Sequence, residues 1–428
     1  MADWLIVGGG IHGCTIAHAL LRYTTVNLDA IRIVDPHEEP LAAWDRRVRQ
    51  CGMRYLRSPA AHSIAPHFTD LLSWAREEGW DLTQHTIEPY ARPSVDLFRA
   101  HAAARIAASG IGKAWVTGSA VTMAERRGGW SVALDNGRRI RAQRVVIATG
   151  RTGGARMPPW SLDGPSSRTI HVFDPGFSLE RARLTRSPVV VGGGTSAVHL
   201  ALTLAERPPR PVHSDQPAPV RIVSRRPLRI HQFDSDPCFI GPACMKRFLA
   251  IRDPDERRSL LDTARQPGSV PPDLARALES AVARGSVEWI EDAIVDARRV
   301  SGSTVELVGS GPKARRYESD MVILATGFTP SPPVECLLRA IRDASRTHAL
   351  PVDSIGYPLP HASLQWAKRL YLSGPLAELE LGPSAPNIIG AQNAAKRIIS
   401  HLNGTPLVIP SAWRRYAPAS VSSSSDSC

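Results

Sequence analysis

Lysine is nearly absent from this 428-residue chain: Lys113, Lys246, Lys313, Lys368 and Lys396 are the five among 52 basic residues. The formal net charge of +12 is therefore an arginine charge, and the arginines are spread along the whole length with acids among them. A nucleic-acid partner would call for a concentrated basic stripe, so the pattern reads as a solvated basic face with no nucleic acid bound. Six cysteines (Cys14, Cys51, Cys238, Cys244, Cys336 and Cys428) include no CxxC pair and no metal-ligand spacing. That excludes a CxxC dithiol centre and leaves all six as buried or incidental thiols, with no metal site. No apolar run reaches the roughly 18 residues that a membrane helix needs. Asp3 comes almost at once after Met1 and the first strand is expected to start near Trp4, without the charged and apolar regions of a cleavable leader. A soluble cytoplasmic protein without membrane contact is expected. No Ser-His-Asp order and no paired-carboxylate spacing stands out either. The length allows two or three domains, and a homo-oligomer is compatible with it.

Two glycine turns dominate what is present. Leu5 to Leu20 reads LIVGGGIHGCTIAHAL, an apolar run followed by Gly8, Gly10 and Gly13 in GxGxxG register and then a helical pattern. A second apolar run, AIRIVD, ends on Asp35, about twenty residues beyond the glycines as in a dinucleotide-binding unit. Gly8 permits the tight turn, Gly10 lets the backbone approach a pyrophosphate, and Gly13 allows helix to pack on strand. Ile11 and His12 fill the variable positions, where the helix start offers free N–H groups to phosphate. The unit continues with helical patterns around His67 to Glu78 and Val95 to Ser109, the latter capped by Ser94. Short strands follow from Ala114 to Val121, then WSVAL and RRIRA joined across Asp135, Asn136 and Gly137. It closes with RVVIATG, ending on Thr149 and Gly150.

The same order returns downstream. VVVGGGTSA supplies Gly192, Gly194, Thr195, Ser196 and Ala197 as GxGxxA, and VRIVSRR is the next strand. Short strands around SVEWI, SGSTVELV and RRYES lead to MVILATG, which ends on Thr326 and Gly327. Shared order of turn, strands and terminal ATG marks an internal duplication of a domain plan. The Pro-rich stretch Arg207 to Pro219 reads as a surface loop, and the serine-rich tail from Ala417 as low-complexity chain.

The two units differ where a ribose would lie. Asp35 suits free hydroxyls and repels a 2′-phosphate, whereas Ser224, Arg225 and Arg226 end the equivalent second strand with guanidinium groups that can grip one. The first unit is expected to hold FAD or NAD, and the second NADPH.

On these motifs the chain resembles the flavoprotein monooxygenases with two dinucleotide-binding domains, over roughly Asp3 to Leu402. Within them it is similar to the N-hydroxylating branch of ornithine and lysine N-hydroxylases. Three local matches are more selective than the glycine turns. MRYLRSP, Met53 to Pro59, is similar to the branch's flavin-side segment, which places Met53 and Leu56 at the cofactor and Arg57 at a lysine that touches substrate and nucleotide. FDSDPCF, Phe233 to Phe239, resembles the loop after the nicotinamide domain. LSGPLAELELGPSAPNIIGAQNAAKRI, Leu372 to Ile398, resembles the strand, loop and final helix that complete the flavin site, with Gly382 and Pro383 in the loop. Where the branch carries Asn-Glu this chain has Ile240, Gly241 and Pro242, so an amino-acid substrate held in the usual way is not expected. The related fingerprint FxGxxxHxxx(W/Y/F) appears in degenerate form from Gly164 through His171 to Phe173, which makes His171 a candidate for a catalytic or conformational role.

The resemblance implies an α/β fold of two Rossmann-like domains, three-layer β/β/α in type. Residues 1–158 and 329–410 would bind FAD, 159–328 NADPH, and 411–428 would form a tail. It further implies an FAD- and NADPH-dependent monooxygenase of specialised metabolism, acting through a C4a-hydroperoxyflavin with O2 on a small-molecule amine. Sulfur oxidation, Baeyer-Villiger insertion, a flavin reductase or oxidase without oxygen transfer, and a non-catalytic nucleotide sensor are the alternatives. Ser384, Ala385 and Pro386 are expected to open the last helix, whose dipole would favour reduced flavin. Trp44, Tyr55 and Trp160 are candidate pocket walls.

Overall fold

Alternation along a strand sends neighbouring side chains to opposite faces, so a sheet covered on both sides needs consecutive apolar residues. The run Val189-Val190 does this: Val190 packs with Ile222 and Ile323 against helix residues such as Val198 and Leu204, while Val189 packs with Val223 and Leu324 against Val305 and Leu307 of another sheet. The computed structural model describes residues 1–150, 154–162, 168–206, 218–301, 304–311, 315–332, 334–344 and 350–406. Gly164, most of the Arg207–Pro219 stretch and the tail beyond 406 lie outside the described residues.

The second glycine turn belongs to a five-stranded parallel sheet in the order Val287–Glu291, Val220–Ser224, Pro188–Val191, Met321–Leu324, Thr169–His171. Helices Thr195–Ala205 and Pro272–Ala283 cover one face. The antiparallel strands Ile294–Ser301, Thr304–Gly309 and Arg316–Ser319 cover the other, which completes a β/β/α stack. Fully burying each Val, Leu or Ile of these layers contributes about 1.5–3 kcal/mol.

The first turn belongs to a sheet in the order Gln365–Ala367, Leu370–Leu372, Arg139–Ile147, Ala2–Val7, Ile31–Asp35, Trp115–Thr117. RRIRA and RVVI, which read as two strands in sequence, form the single strand Arg139–Ile147. Its first half pairs antiparallel with Gly129–Leu134, and its second half runs parallel to Ala2–Val7 and to Leu370–Leu372. Helix Ile11–Tyr23 lies between the last helix, Ile388–Asn403, and helix Val95–Ser109. Ser94 caps the latter by accepting from Leu97 N–H, as its sequence predicts.

An insertion between Ser224 and Pro272 carries two helices, Pro242–Ala250 and Pro254–Ala264. Phe248 and Leu261 pack there with Leu379 of the returning first unit. Cys238 and Cys244 form a disulfide within the insertion, which corrects the expectation of six incidental thiols. The step from the short 3-10 turn Pro237–Ile240 into the helix brings their Cα atoms to 5.5 Å, a distance that spacing alone does not reveal.

Candidate functional site: two nucleotide turns around one cavity

Each turn is built against the end of its own ATG strand. Gly8 has φ +108°, and a Cβ there would lie 2.5 Å from the Ala148 carbonyl oxygen. Gly192 has φ +139°, and its Cβ would lie 2.4 Å from the Ala325 carbonyl oxygen. The repeated Ala-Thr-Gly is thus the surface on which each turn closes. Gly13 packs onto the Gly8 carbonyl, where a Cβ would stand 1.9 Å away, and buried Ala197 takes the matching position in the second unit. A Cβ on Gly10 would meet nothing within 4 Å, so this edge is open to a ligand. The helices starting at Ile11 and Thr195 have no side-chain caps, which leaves their first N–H groups directed at the opening.

Both turns open into one cavity of about 1720 Å³. This exceeds the roughly 300–1,000 Å³ of a site for one small ligand. Gly8, Gly10, Ile11, His12, Asp35, Thr149 and Gly150 line it from the first unit, with Pro383 beyond them. Gly192, Gly194, Thr195, Ser196, Thr326 and Gly327 line it from the second. Ser224, Arg225 and Arg226 lie at the end of the strand beside these.

The acid and the arginines are held differently. Asp35 Oδ2 accepts from Gly9 N–H at 2.7 Å, and its Oδ1 accepts from His37 N–H at 2.9 Å and pairs with His37 Nδ1 at 2.8 Å. The carboxylate is fixed at the lip of the turn with an Oδ2 lone pair to spare. Ser224 Oγ donates to the Arg226 carbonyl at 2.8 Å and so shapes the corner from which exposed Arg225 and Arg226 extend.

Six residues singled out from the sequence sit behind the cavity wall. Gly13 and Ala197 hold the turns, Leu56 is buried in the first core, and Met53 packs against the cores of both units. Gly382 has φ +77°, and its open side faces Met245 Sδ, 2.7 Å from where a Cβ would stand. His171 is buried beneath the stacked rings of Phe173 and Phe328, whose centroids are 5.6 Å apart and which do line the cavity. Its Nδ1 accepts from Phe173 N–H at 3.2 Å, burial lowers its pKa, and its ring contacts the cavity-lining Phe173 and Phe328 without lining the cavity itself.

His12 is also neutral: burial pulls its pKa to about 4 against the upward influence of the Pro386 and Asn387 carbonyls. Its Nδ1 meets Ser373 Oγ at 2.9 Å. The last helix begins later than its sequence suggests. Ala385 N–H bonds to the Gly382 carbonyl and Asn387 N–H to that of Ser384, so two turns precede a helix starting at Ile388. Ser384 is not its cap: the hydroxyl faces Ser235 Oγ at 3.4 Å, while Asn387 occupies the cap position and donates to Asp234 at 3.0 Å.

Arg57 lines the cavity, and the protein engages all three nitrogens of its guanidinium. Nε donates to the Gln232 carbonyl at 3.0 Å and Nη1 to the Ser269 carbonyl at 3.2 Å. Nη2 is shared among the His231 and Phe233 carbonyls and Ser269 Oγ, at 2.5, 2.6 and 2.9 Å. Burial pushes its pKa down to about 10, so it stays charged at neutral pH.

Trp44 and Trp160 line the cavity, whereas Tyr55 donates to the Gln84 carbonyl and does not. Sequence reasoning did not find Arg47, Arg156, Phe328 or the Gln266–Ser269 turn, all on the wall. Gly268, with φ +75° and 3.2 Å from where a Gly194 Cβ would be, was the available signal for that turn. Among the described residues no group of three or more His, Cys, Asp or Glu is placed to hold a metal, and no helix is long and apolar enough to cross a membrane.

A buried ionic network closes the insertion end. Arg258 pairs with Asp353 at 2.5 Å and Glu378 at 2.6 Å, and Arg265 pairs with the other oxygen of Glu378 at 2.5 Å. Burial alone would raise the Glu378 carboxyl, but Arg265 and Arg258 outweigh it and hold the pKa below the ordinary value. Glu378→Ala is expected to cost about 3–5 kcal/mol in denaturant unfolding, because it strands the Arg265 guanidinium and leaves Arg258 with Asp353 alone. With a depressed folded-state pKa, the contribution of Glu378 is present above the ordinary glutamate range and is lost as pH falls through the folded value. The stability gap between wild type and variant should therefore narrow in acid. A gap that does not change with pH would contradict this assignment.

Two Rossmann-type units whose phosphate-binding turns share one cavity define an oxidoreductase with two dinucleotide sites. The family model for pyridine nucleotide-disulphide oxidoreductases matches residues 94–344, more than half of the chain, and the chain belongs to that family. A second model, for FAD-NAD(P)-binding proteins, matches residues 5–152. No curated protein matches the sequence. Among solved structures, the chain is similar to an ornithine N-hydroxylase from Kutzneria sp. 744, with 15% identity, 94% of this chain and 99% of the other covered, and a TM-score of 0.72. It is equally similar to the cadaverine monooxygenase of desferrioxamine biosynthesis from Erwinia amylovora, with 15% identity, 98% and 99% coverage and a TM-score of 0.72. A bacillithiol disulfide reductase from Staphylococcus aureus shares the fold at 13% identity, with 94% and 98% coverage and a TM-score of 0.59.

Proposed function

We propose that this chain is a cytoplasmic FAD- and NADPH-dependent monooxygenase that hydroxylates an amine nitrogen of a small molecule. The observation that carries the reading is the pairing of unlike nucleotide ends across one cavity: a fixed carboxylate at the first turn, free guanidinium groups at the second. The residues fit the two cofactors, since the Gly10 edge is open and both helix starts lack caps. On this reading residues 1–158 and 329–410 hold FAD, and residues 159–328 hold NADPH. Bound FAD would supply hydride acceptance from NADPH and activation of dioxygen.

The side chains have narrower tasks. Asp35 accepts from ribose hydroxyls, and Arg225 and Arg226 bind a 2′-phosphate. Pro386 and Asn387 bring the start of a 16-residue helix to the cavity wall, where its partial positive charge favours an anionic ring system. Neutral His12 adds no charge there and competes for no proton. Trp44, Met157, Trp160, Phe173 and Phe328 supply apolar wall that excludes water and lowers the pKa of a bound amine, so that its nitrogen is free to react.

The two neighbours named as an ornithine N-hydroxylase and a cadaverine monooxygenase, at a TM-score of 0.72 against 0.59 for the disulfide reductase, support oxygen transfer over disulfide reduction. The cysteines support it too: burial raises the Cys14 and Cys51 thiols to about 12, so neither offers a thiolate, and the Cys238–Cys244 disulfide does not line the cavity. Ile240, Gly241 and Pro242 favour a substrate other than an amino acid held by an Asn-Glu pair. The test is product analysis with FAD, NADPH, O2 and a panel of amines, sulfides and ketones. The expected result is a hydroxylamine formed in proportion to NADPH consumed. Sulfoxide or ester formation would reassign the nucleophile, and NADPH oxidation without any oxygenated product would leave a reductase or oxidase.

A further inference from the structure

The segment that carries Arg57 belongs to the first unit by its own backbone: Leu56 N–H bonds to the Pro93 carbonyl, and Val95 N–H to that of Arg54. Its guanidinium, however, spends all its hydrogen bonds on the second unit, on the strap His231–Phe233 and on Ser269. Ser269 in turn accepts from Thr195 Oγ1 at 2.9 Å, and its neighbour Gly268 is what Gly194 packs against. A line of direct contacts therefore runs from the first unit through one guanidinium to the second phosphate-binding turn.

We propose that Arg57 is a positioning residue: it sets the register of the strap and the Ser269 turn, and through them the nicotinamide end of NADPH, against the flavin side of the cavity. The inference rests on the FAD and NADPH reading for its consequence, but not for its geometry. It differs from the substrate contact that family resemblance assigns to this position, because the protein's own acceptors already occupy the Nε and both ends of the fork. All five acceptors are neutral oxygens, four carbonyls and one hydroxyl, so what they select is the directional fork of a guanidinium. A lysine ammonium has three donors on one atom and cannot span both the strap and the turn. A second clasp between the units, Arg92 bidentate to Asp273 at 2.9 and 2.8 Å, shares no hydrogen-bond partner with Arg57 and keeps its own two bonds when Arg57 is replaced. Loss of Arg57 is therefore expected to loosen the strap and turn and leave the units joined.

Two measurements on the full-length protein test this. In hydrogen exchange, the amides of His231, Gln266 and Ser269 should exchange faster in Arg57→Ala by about tenfold or more, while that of Ala275, just beyond Asp273 and bonded to the Pro271 carbonyl, stays protected. In stopped-flow mixing of the FAD-loaded protein with NADPH and no amine, the flavin should be reduced about 100-fold more slowly, the scale of a roughly 1 Å misplacement. Millimolar guanidinium should restore much of that rate in Arg57→Ala, methylammonium should not, and Arg57→Lys should remain slow. Unchanged exchange at the three amides would overturn the proposal. So would a wild-type reduction rate with the defect confined to the KM of the amine. If NADPH fails to reduce the flavin of the wild-type protein, the cofactor reading falls, and exchange alone still decides the role of Arg57.

Discussion

Arg225→Ala should raise the KM for NADPH about tenfold and leave that for NADH within about threefold, since one charge-assisted hydrogen bond to a phosphate is at stake. Arg225 and Arg226 are both exposed on the cavity rim, and no carboxylate pairs with either among the described residues. Solvent weakens each contact, which is why the lower end of the range applies to a single replacement. Removing both arginines should approach about 100-fold, and the difference between the nucleotides should shrink with added salt. Steady-state kinetics with both nucleotides over a salt series checks this. Equal effects on NADPH and NADH would remove the pair from 2′-phosphate recognition.

Alanine at Gly8 and at Gly192 should abolish different things. Each replacement places a Cβ 2.4–2.5 Å from a carbonyl oxygen that belongs to the end of a buried strand and cannot retreat. Each also forces a positive φ that costs of order 1–3 kcal/mol in a non-glycine residue. Gly8→Ala is expected to purify without flavin colour. Gly192→Ala should keep FAD and its visible spectrum and accept electrons from dithionite, yet be reduced by NADPH at least about 100-fold more slowly. Absorption spectra of the two purified variants and a single-turnover reduction separate the outcomes. Loss of flavin from Gly192→Ala would show that the turns are not assigned one to each nucleotide.

The parts of this fold legible in the sequence are those that local geometry enforces. A turn that must approach a strand end needs glycine, so Gly8 and Gly192 announced themselves, and their Ala-Thr-Gly partners did so as well. Asp35 and Ser224 to Arg226 were legible because strand length fixes where the second strand ends. Contacts between segments distant in the chain were not. Asn387 and Ser384 are equally good caps on paper, and the choice is made by Asp234 and Ser235, some 150 positions away. Arg57 falls into place only when its acceptors arrive from residues 174 to 212 positions downstream. Pro242, Pro254 and Asp253 did mark the insertion helices, as first-turn prolines and a cap, and could have been read.

Strand Leu370–Leu372 reaches its place beside Val145–Ile147 only after the whole second sheet, Thr169 to Leu324, has been laid down. During synthesis, then, the later-coded nucleotide unit can close on itself while the earlier one still waits for its outer strand, for Ser373 beside His12, and for the helix that seats on Ile11–Tyr23. On the proposed assignment of nucleotides, the expected order of maturation is the reverse of the order of translation, with the pyridine-nucleotide pocket able to close before the flavin pocket is complete.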